Sequence, residues 1–268
     1  MRHSLALILL FTLTACGVFS SPDEKKEPKS EPVEKLYADA KDELDSSNYD
    51  KAVKSFETLQ SRYPYGRYAQ QAQLEIAYAN YKQKETESAI AAADRFIKQY
   101  PNNPHVDYAY YLKGLINFNE DLGLMSGISK QDLAERDANA ARQAFEAFKE
   151  LVTRFPDSKY APNSRVRMQY LINVLARHEI RVASYYLRRG AYVAAANRAK
   201  GVLTDYSQTP STRDALQIMV QSYDALGMAD LRKDAQRVLD LNVAKDGAAA
   251  PEVRESPNNE VAWWKFWK

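Results

Sequence analysis

Three short strings recur along this chain and restrict what it can fold into. They are Arg62-Tyr63-Pro64, Gln99-Tyr100-Pro101 and Arg154-Phe155-Pro156, with a degenerate fourth copy at Asp205-Tyr206-Ser207. In each, an aromatic residue closes an amphipathic run. Proline, or its serine substitute, then opens a loop, because proline cannot continue a helix. A small residue stands at a fixed distance upstream of each mark: Ala52, Ala89, Ala144 and Ala195, and a fifth unit places Arg232 there. The intervals are 37, 55, 51 and 37 residues, so a unit of about 37 recurs with insertions in the middle of the chain.

Each unit reads as two antiparallel helices. Leu74, Ala77, Tyr78 and Tyr81 follow i, i+3, i+4, i+7 spacing, and after a turn Ala89, Ala93, Phe96, Ile97 and Tyr100 continue on one face. Ala52, Phe56, Leu59 and Tyr63 repeat that face in the first unit, and Phe145, Phe148, Val152 and Phe155 repeat it in the third. Asn103 before Pro104 suits a helix N-cap, and Ser211 with Asp214 suits another. Gly190-x-Tyr192-x-x-Ala195 has the turn and helix-start pattern of a tetratricopeptide repeat: glycine permits the tight turn and alanine a close helix approach. The expected fold is therefore all-α, a right-handed solenoid of about five tetratricopeptide-like helix pairs over residues 34–242. Two stretches break the period. Residues 117–137 read as a loop inserted between the helices of unit three. Residues 164–189 contain neither glycine nor proline and read as one helix about 39 Å long. Its stripe Met168, Leu171, Leu175, His178, Val182, Tyr185 is expected to bridge the early and late repeats.

The N-terminus is of another kind. Met1-Arg2-His3-Ser4 precedes an apolar run from Leu5 to Leu13, then Thr14-Ala15-Cys16, so residues 1–15 read as a secretory signal too short to stay in a bilayer as a span. Leu13-Thr14-Ala15-Cys16 matches the lipobox of bacterial lipoproteins, in which the thiol is acylated and becomes the mature N-terminus. Cys16 is the only cysteine, so a disulfide within the chain is excluded, and its position supplies a reason for a lone thiol. Several acyl chains anchor stably where one would be marginal. Gly17, where aspartate usually marks inner-membrane retention, favours the outer membrane. Residues 16–33 carry three prolines and mixed charge and read as a disordered tether reaching about 20–30 Å. Residues 243–268 form a polar tail that ends in Trp263-Trp264-Lys265-Phe266-Trp267-Lys268, suited to a membrane interface or a partner surface.

No chemistry of catalysis is legible. The formal charge is only +2, which gives nucleic acid no electrostatic footprint. His3, His105 and His178 have no metal-ligand spacing, and no glycine-rich phosphate loop or nucleophile elbow occurs, so neither metal nor cofactor is expected. Acidic pairs such as Asp42-Glu43 are expected on solvated helix faces. The unusual number is 18 tyrosines. Tyr63, Tyr65 and Tyr68 crowd one turn, as do Tyr108, Tyr110 and Tyr111, and a half-buried aromatic lining suits peptide capture.

These features together resemble the BamD/ComL family of lipoproteins from the outer-membrane β-barrel assembly machine. The strings that carry the resemblance are Arg62-Tyr63-Pro64-Tyr65-Gly66 with Gln70-Gln71, Asp94-Arg95-Phe96-Ile97, Arg136-Asp137, Arg189-Gly190-Ala191-Tyr192-Val193, Asn197-Arg198 and Thr212-Arg213-Asp214-Ala215-Leu216. The resemblance covers residues 16 to about 240. The resemblance implies a non-enzymatic scaffold at the outer membrane, facing the periplasm. Unfolded barrel precursors would meet the N-terminal repeats, with Tyr63, Tyr65 and Tyr68 on the substrate side. The barrel-forming subunit BamA would meet the C-terminal repeats at Asn197, Arg198 and Arg213, and other subunits of the machine are implied as partners. The family's adjacent phenylalanines are absent around Gly123–Ile128, and its members show no Trp-rich tail as a hallmark. A repeat lipoprotein of pilus or secretin assembly would share the architecture but not these strings. A peptidoglycan-active enzyme would need a catalytic glutamate in a globular domain, whereas residues 34–242 are taken up by repeats.

Overall fold

The computed structural model describes residues 31–118 and 138–245. The signal segment, Cys16, most of the tether, the body of the unit-three insertion and the Trp-rich end lie outside the described residues. Among the described residues ten helices form five antiparallel pairs: α1 (Val33–Asp45) with α2 (Tyr49–Arg62), α3 (Arg67–Lys82) with α4 (Thr86–Gln99), α5 (Val106–Phe118) with α6 (Ala138–Arg154), α7 (Ala161–Arg188) with α8 (Tyr192–Asp205), and α9 (Ser211–Ala225) with α10 (Ala229–Lys245). Each helix packs on the next in sequence, and first helices also touch across pairs, α1 on α3, α3 on α5 and α7 on α9. The first helices therefore form the tighter inner wall of the expected right-handed solenoid, and the second helices its outer wall.

The recurring strings do the same job each time. The N–H of Tyr63, Tyr100, Phe155 and Tyr206 donates to the carbonyl four residues back, at 2.8–2.9 Å, and the chain then leaves the helix. Backbone φ at Tyr63, Tyr100 and Tyr206 is −130°, −130° and −131°, so the closing geometry is nearly identical. Ala52, Ala89, Ala144 and Ala195 are all fully buried, because a larger side chain there would hold the paired helices apart. Arg232 occupies the equivalent place in α10. It remains half-buried, with Nε 3.4 Å from Asp224 Oδ1.

Within four of the pairs the turn is a left-handed one closed by a six-residue backbone bond. Asn48 N–H donates to Glu43 O, Glu85 to Asn80, Ala191 to Tyr186 and Met228 to Tyr223, at 2.8–3.0 Å. Positive φ falls on Gly190 (74°) and Gly227 (69°), but also on Ser47 (62°) and Lys84 (66°). The last two adopt a conformation that disfavours a Cβ. Asn103 sits earlier than the N-cap position, because α5 begins at Val106; its Oδ1 accepts from the His105 N–H at 2.8 Å and orders the turn that leads into the helix. Ser211 does not cap either: it is the buried first residue of α9, and no side chain caps that helix. The Thr212 hydroxyl instead ties the turn together, donating to Thr209 O at 2.9 Å.

α7 has 28 residues and is about 42 Å long. It bridges the two ends, as expected, but not with one stripe. Leu171, Val174 and Leu175 belong to the large core of the first three pairs, while Ala176 and Ala183 belong to a second core with α8, α9 and α10. Tyr185, expected on the buried stripe, is 51% exposed, and Tyr186 and Leu187 pack instead. A strict 3.5-residue repeat drifts about 20° per heptad around a straight helix. After two heptads the stripe has rotated out of the contact. Tyr206 touches both cores.

Candidate functional site: an aromatic N-terminal turn and a basic C-terminal half

The Arg62–Gly66 turn joins α2 to α3 at the N-terminal end, and its tyrosines have three different positions. The Tyr63 hydroxyl donates to Glu31 O at 2.9 Å, holding the segment that enters α1. Tyr68, in the first turn of α3, lies 5.3 Å from the Tyr37 ring, and Arg67 covers it with Cζ 4.6 Å from the ring centroid. Tyr65 points away from all of this and is 89% exposed, the most exposed large apolar side chain described. The turn does bring Tyr63, Tyr65 and Tyr68 together, but only Tyr65 is wholly available to a ligand.

Tyr108, Tyr110 and Tyr111 do not line a surface. All three are buried, because α5 has α4, α6 and α3 packed against it. Tyr111 stacks on Tyr160 at 4.7 Å and donates to Asn163 Oδ1 at 2.9 Å; Tyr110 lies 5.7 Å from Phe155. Burial pushes the Tyr108 hydroxyl well above its ordinary range. These rings are packing residues, and the Tyr111 hydroxyl finds its partner inside.

The residue that sequence reasoning missed is Glu75. A glutamate in a helix normally reads as solvent-facing, yet this one is fully buried, since α3 has helices against it on every side. Its Oε1 accepts from the Tyr37 hydroxyl at 3.2 Å and lies 3.7 Å from Lys41 Nζ, linking the first inner helix to the second. Gln71 and Gln73 are buried beside it on the same helix. The only signal in the sequence is the alternation of Gln71, Gln73 and Glu75 through an otherwise apolar helix. Burial raises the Glu75 carboxyl to about 7, against the pull of Lys41 and Tyr37. Between its ordinary pKa of 4.5 and 7 the folded chain therefore holds a proton that the unfolded chain has lost. The stability Glu75 contributes is complete below about 4.5 and is lost as pH rises through 7. Glu75→Gln should flatten the pH dependence of stability across this window, measured by urea unfolding at pH 5 and pH 8. An unchanged slope would show that other groups set it.

At the other end, Asn197 and Arg198 are exposed on α8 and Arg213 is exposed in the first turn of α9. Arg198 is not a free cation: its Nη1 donates to Glu179 Oε2 on α7 at 3.0 Å. The surroundings are basic. Residues 138–245 contain 17 Lys and Arg against 10 Asp and Glu, whereas residues 31–118 contain 11 against 13. The overall charge of +2 thus conceals two halves of opposite sign. Among the described residues no group of three or more His, Cys, Asp or Glu is placed to hold a metal. No helix among them is long and apolar enough to cross a membrane.

The sequence matches known proteins along most of its length. A protein family described as YfiO, outer membrane lipoprotein, matches residues 29–239. A protein of Neisseria meningitidis serogroup B named outer membrane protein assembly factor BamD is 43% identical over 264 residues, 98% of either chain. Proteins of the same name from Xylella fastidiosa and Vibrio cholerae are 38% and 35% identical, over 90% and 89% of this chain and 82% and 95% of theirs. With five helix pairs spanning the matched region and identity of this extent, the chain belongs to the YfiO family of outer membrane lipoproteins.

Proposed function

We propose that this chain is a lipid-anchored scaffold in the assembly of outer-membrane β-barrel proteins, working by simultaneous binding without a covalent step. The observation that carries this reading is the match to relatives named for outer membrane protein assembly across nearly the whole chain. Residues 1–15 act as the export signal, Cys16 carries the acyl chains at the outer membrane, and residues 17–33 set the reach of the repeats into the periplasm. The exposed Tyr65 and half-buried Tyr63 and Tyr68 form the rim at which an extended, aromatic-rich precursor segment is received. The basic half, through Asn197, Arg198 and Arg213, takes an acidic face of the barrel-forming partner BamA. Placing both ligands on one anchored body raises the effective concentration of each for the other.

The Arg198–Glu179 pair bears on how the partner is held. Arg198 is half exposed while Glu179 is largely covered, so the pair is open to a partner from the arginine side. A carboxylate from the partner can join Glu179 on this arginine, whose planar fork offers donors to more than one oxygen. Arg198→Glu should therefore cut recovery of the partner barrel protein in a mild-detergent pull-down by about tenfold or more. Helicity by circular dichroism should stay unchanged. Recovery at the unaltered level would remove Arg198 from the interface, and recovery of pilus or cell-wall proteins in place of a barrel protein would overturn the assembly role.

A further inference from the structure

α10 is the last of the described helices, and one of its faces is at odds with that position. It buries Ala235 and Leu239 and has α9 as its only substantial neighbour among the described helices. Terminal repeats ordinarily turn a polar face outward, because no further repeat covers them. Here Leu231, Val238 and Leu241 remain exposed along one flank, Leu241 at 57%. Around the helix from Leu231 and Val238, Arg232, Lys233, Gln236, Arg237 and Asp240 line an open depression of about 420 Å³ that Leu241 also borders.

We propose that this face is the docking site for the chain's own C-terminal tail, with the rings of Trp263, Trp264, Phe266 and Trp267 resting on Leu231, Val238 and Leu241. Three observations select this occupant. The first is reach: 23 residues follow Lys245, with a coil span of about 25–30 Å, and α10 is about 25 Å long, so the tail can turn back along the whole helix. The second is composition. The tail holds all three tryptophans of the chain, and large rings cover exposed aliphatic side chains while stacking on guanidinium groups such as that of Arg237. The third is charge: residues 246–260 contain four acidic residues and one basic, which suits the side of α10 that carries Lys233 and Arg237 rather than the leucine flank, where Asp230 and Asp234 stand and Asp234 already pairs with Arg237. The tail is also not part of the shared repeat fold, since the family match ends at residue 239, whereas the Neisseria meningitidis relative aligns over 98% of the chain. This inference does not depend on the assembly role.

Because every tryptophan lies in the tail, intrinsic fluorescence reports its position without a label. The test uses residues 17–268, everything downstream of the acylation site, in detergent-free buffer. Docking predicts blue-shifted emission with several-fold shielding from acrylamide, independent of protein concentration. Leu231→Asp with Leu241→Asp should return both readings to those of free tryptophan with helicity retained. Should that pair disturb α10, Arg237→Glu on the same face should still weaken the shielding. Water-like emission that turns blue only with phosphatidylethanolamine–phosphatidylglycerol vesicles would overturn the proposal in favour of a membrane contact. Blue emission lost on dilution would overturn it in favour of a second copy, and blue emission indifferent to all three substitutions would put the tail elsewhere.

Discussion

Gly114→Ala should lower the stability of this protein by about 1–2 kcal/mol, although alanine is the better helix former. In an open helix the change is worth about 1 kcal/mol in the opposite direction. Gly114 lies in α5, and a Cβ there would meet Cε1, Cδ1 and Cζ of the Phe148 ring, the last at 2.6 Å. Carbon atoms are most stable about 3.5–4.0 Å apart. The ring cannot swing away: Phe148 is fully buried, with Tyr111 at 6.0 Å and Phe118 edge-on at 6.2 Å. Overpacking a tight core typically costs about 1–3 kcal/mol, which exceeds the gain in propensity. Made beside Phe148→Leu, the same change should cost less, because the shorter side chain vacates part of the contested space. Urea unfolding of the four proteins of this cycle measures the coupling, and strict additivity would mean that α5 and α6 are not in this contact.

The second large effect concerns the anchor. Cys16→Ser should move the chain from the detergent-extracted membrane fraction to the soluble periplasmic one. Each buried methylene of an acyl chain contributes about 0.8 kcal/mol, so losing two or more chains removes many orders of magnitude of partitioning. Fractionation and blotting read this directly. A Cys16→Ser protein that still needs detergent for release would place the membrane contact elsewhere, and deleting residues 246–268 in that background would show whether the tail supplies it.

How far the fold was legible depended on whether a position is decided locally. The aromatic–proline marks and the alanines eleven residues before them are decided within one helix pair, and Ala52, Ala89, Ala144 and Ala195 are buried as their spacing implies. The turn at Gly190 was legible because glycine is the usual residue for positive φ. Ser47 and Lys84 make the same turn with no such signal, since the packing of the flanking helices imposes it. The surroundings of Glu75 and of Tyr108, Tyr110 and Tyr111 were not legible at all. Amphipathic reasoning assigns each helix one wet face, but α3 and α5 are covered on both sides by neighbouring pairs. Among the binding residues, the crowding of tyrosines was visible in the sequence. Which of them faces outward depended on where Glu31 and Tyr37 sit. The carboxylate that holds Arg198 lies 19 residues upstream on another helix, a distance no local pattern encodes.

The division of α7 between two cores means that opening is unequally distributed along the chain. The first core contains Phe56, Phe96 and Phe148 with several buried leucines and tyrosines. The second is largely alanine, six of its nine buried members, with Val202, Ile218 and Met219 as the larger side chains. Less apolar surface leaves water there, so the C-terminal pairs are held by a smaller driving force. They can come undone while the N-terminal half of α7 stays clamped, and the reverse order would strip the same helix of its main support. Backbone amides after Ala176 should therefore exchange with solvent by subglobal opening, and those before it only by global unfolding. The expected hierarchy of stability runs in one direction through a single helix.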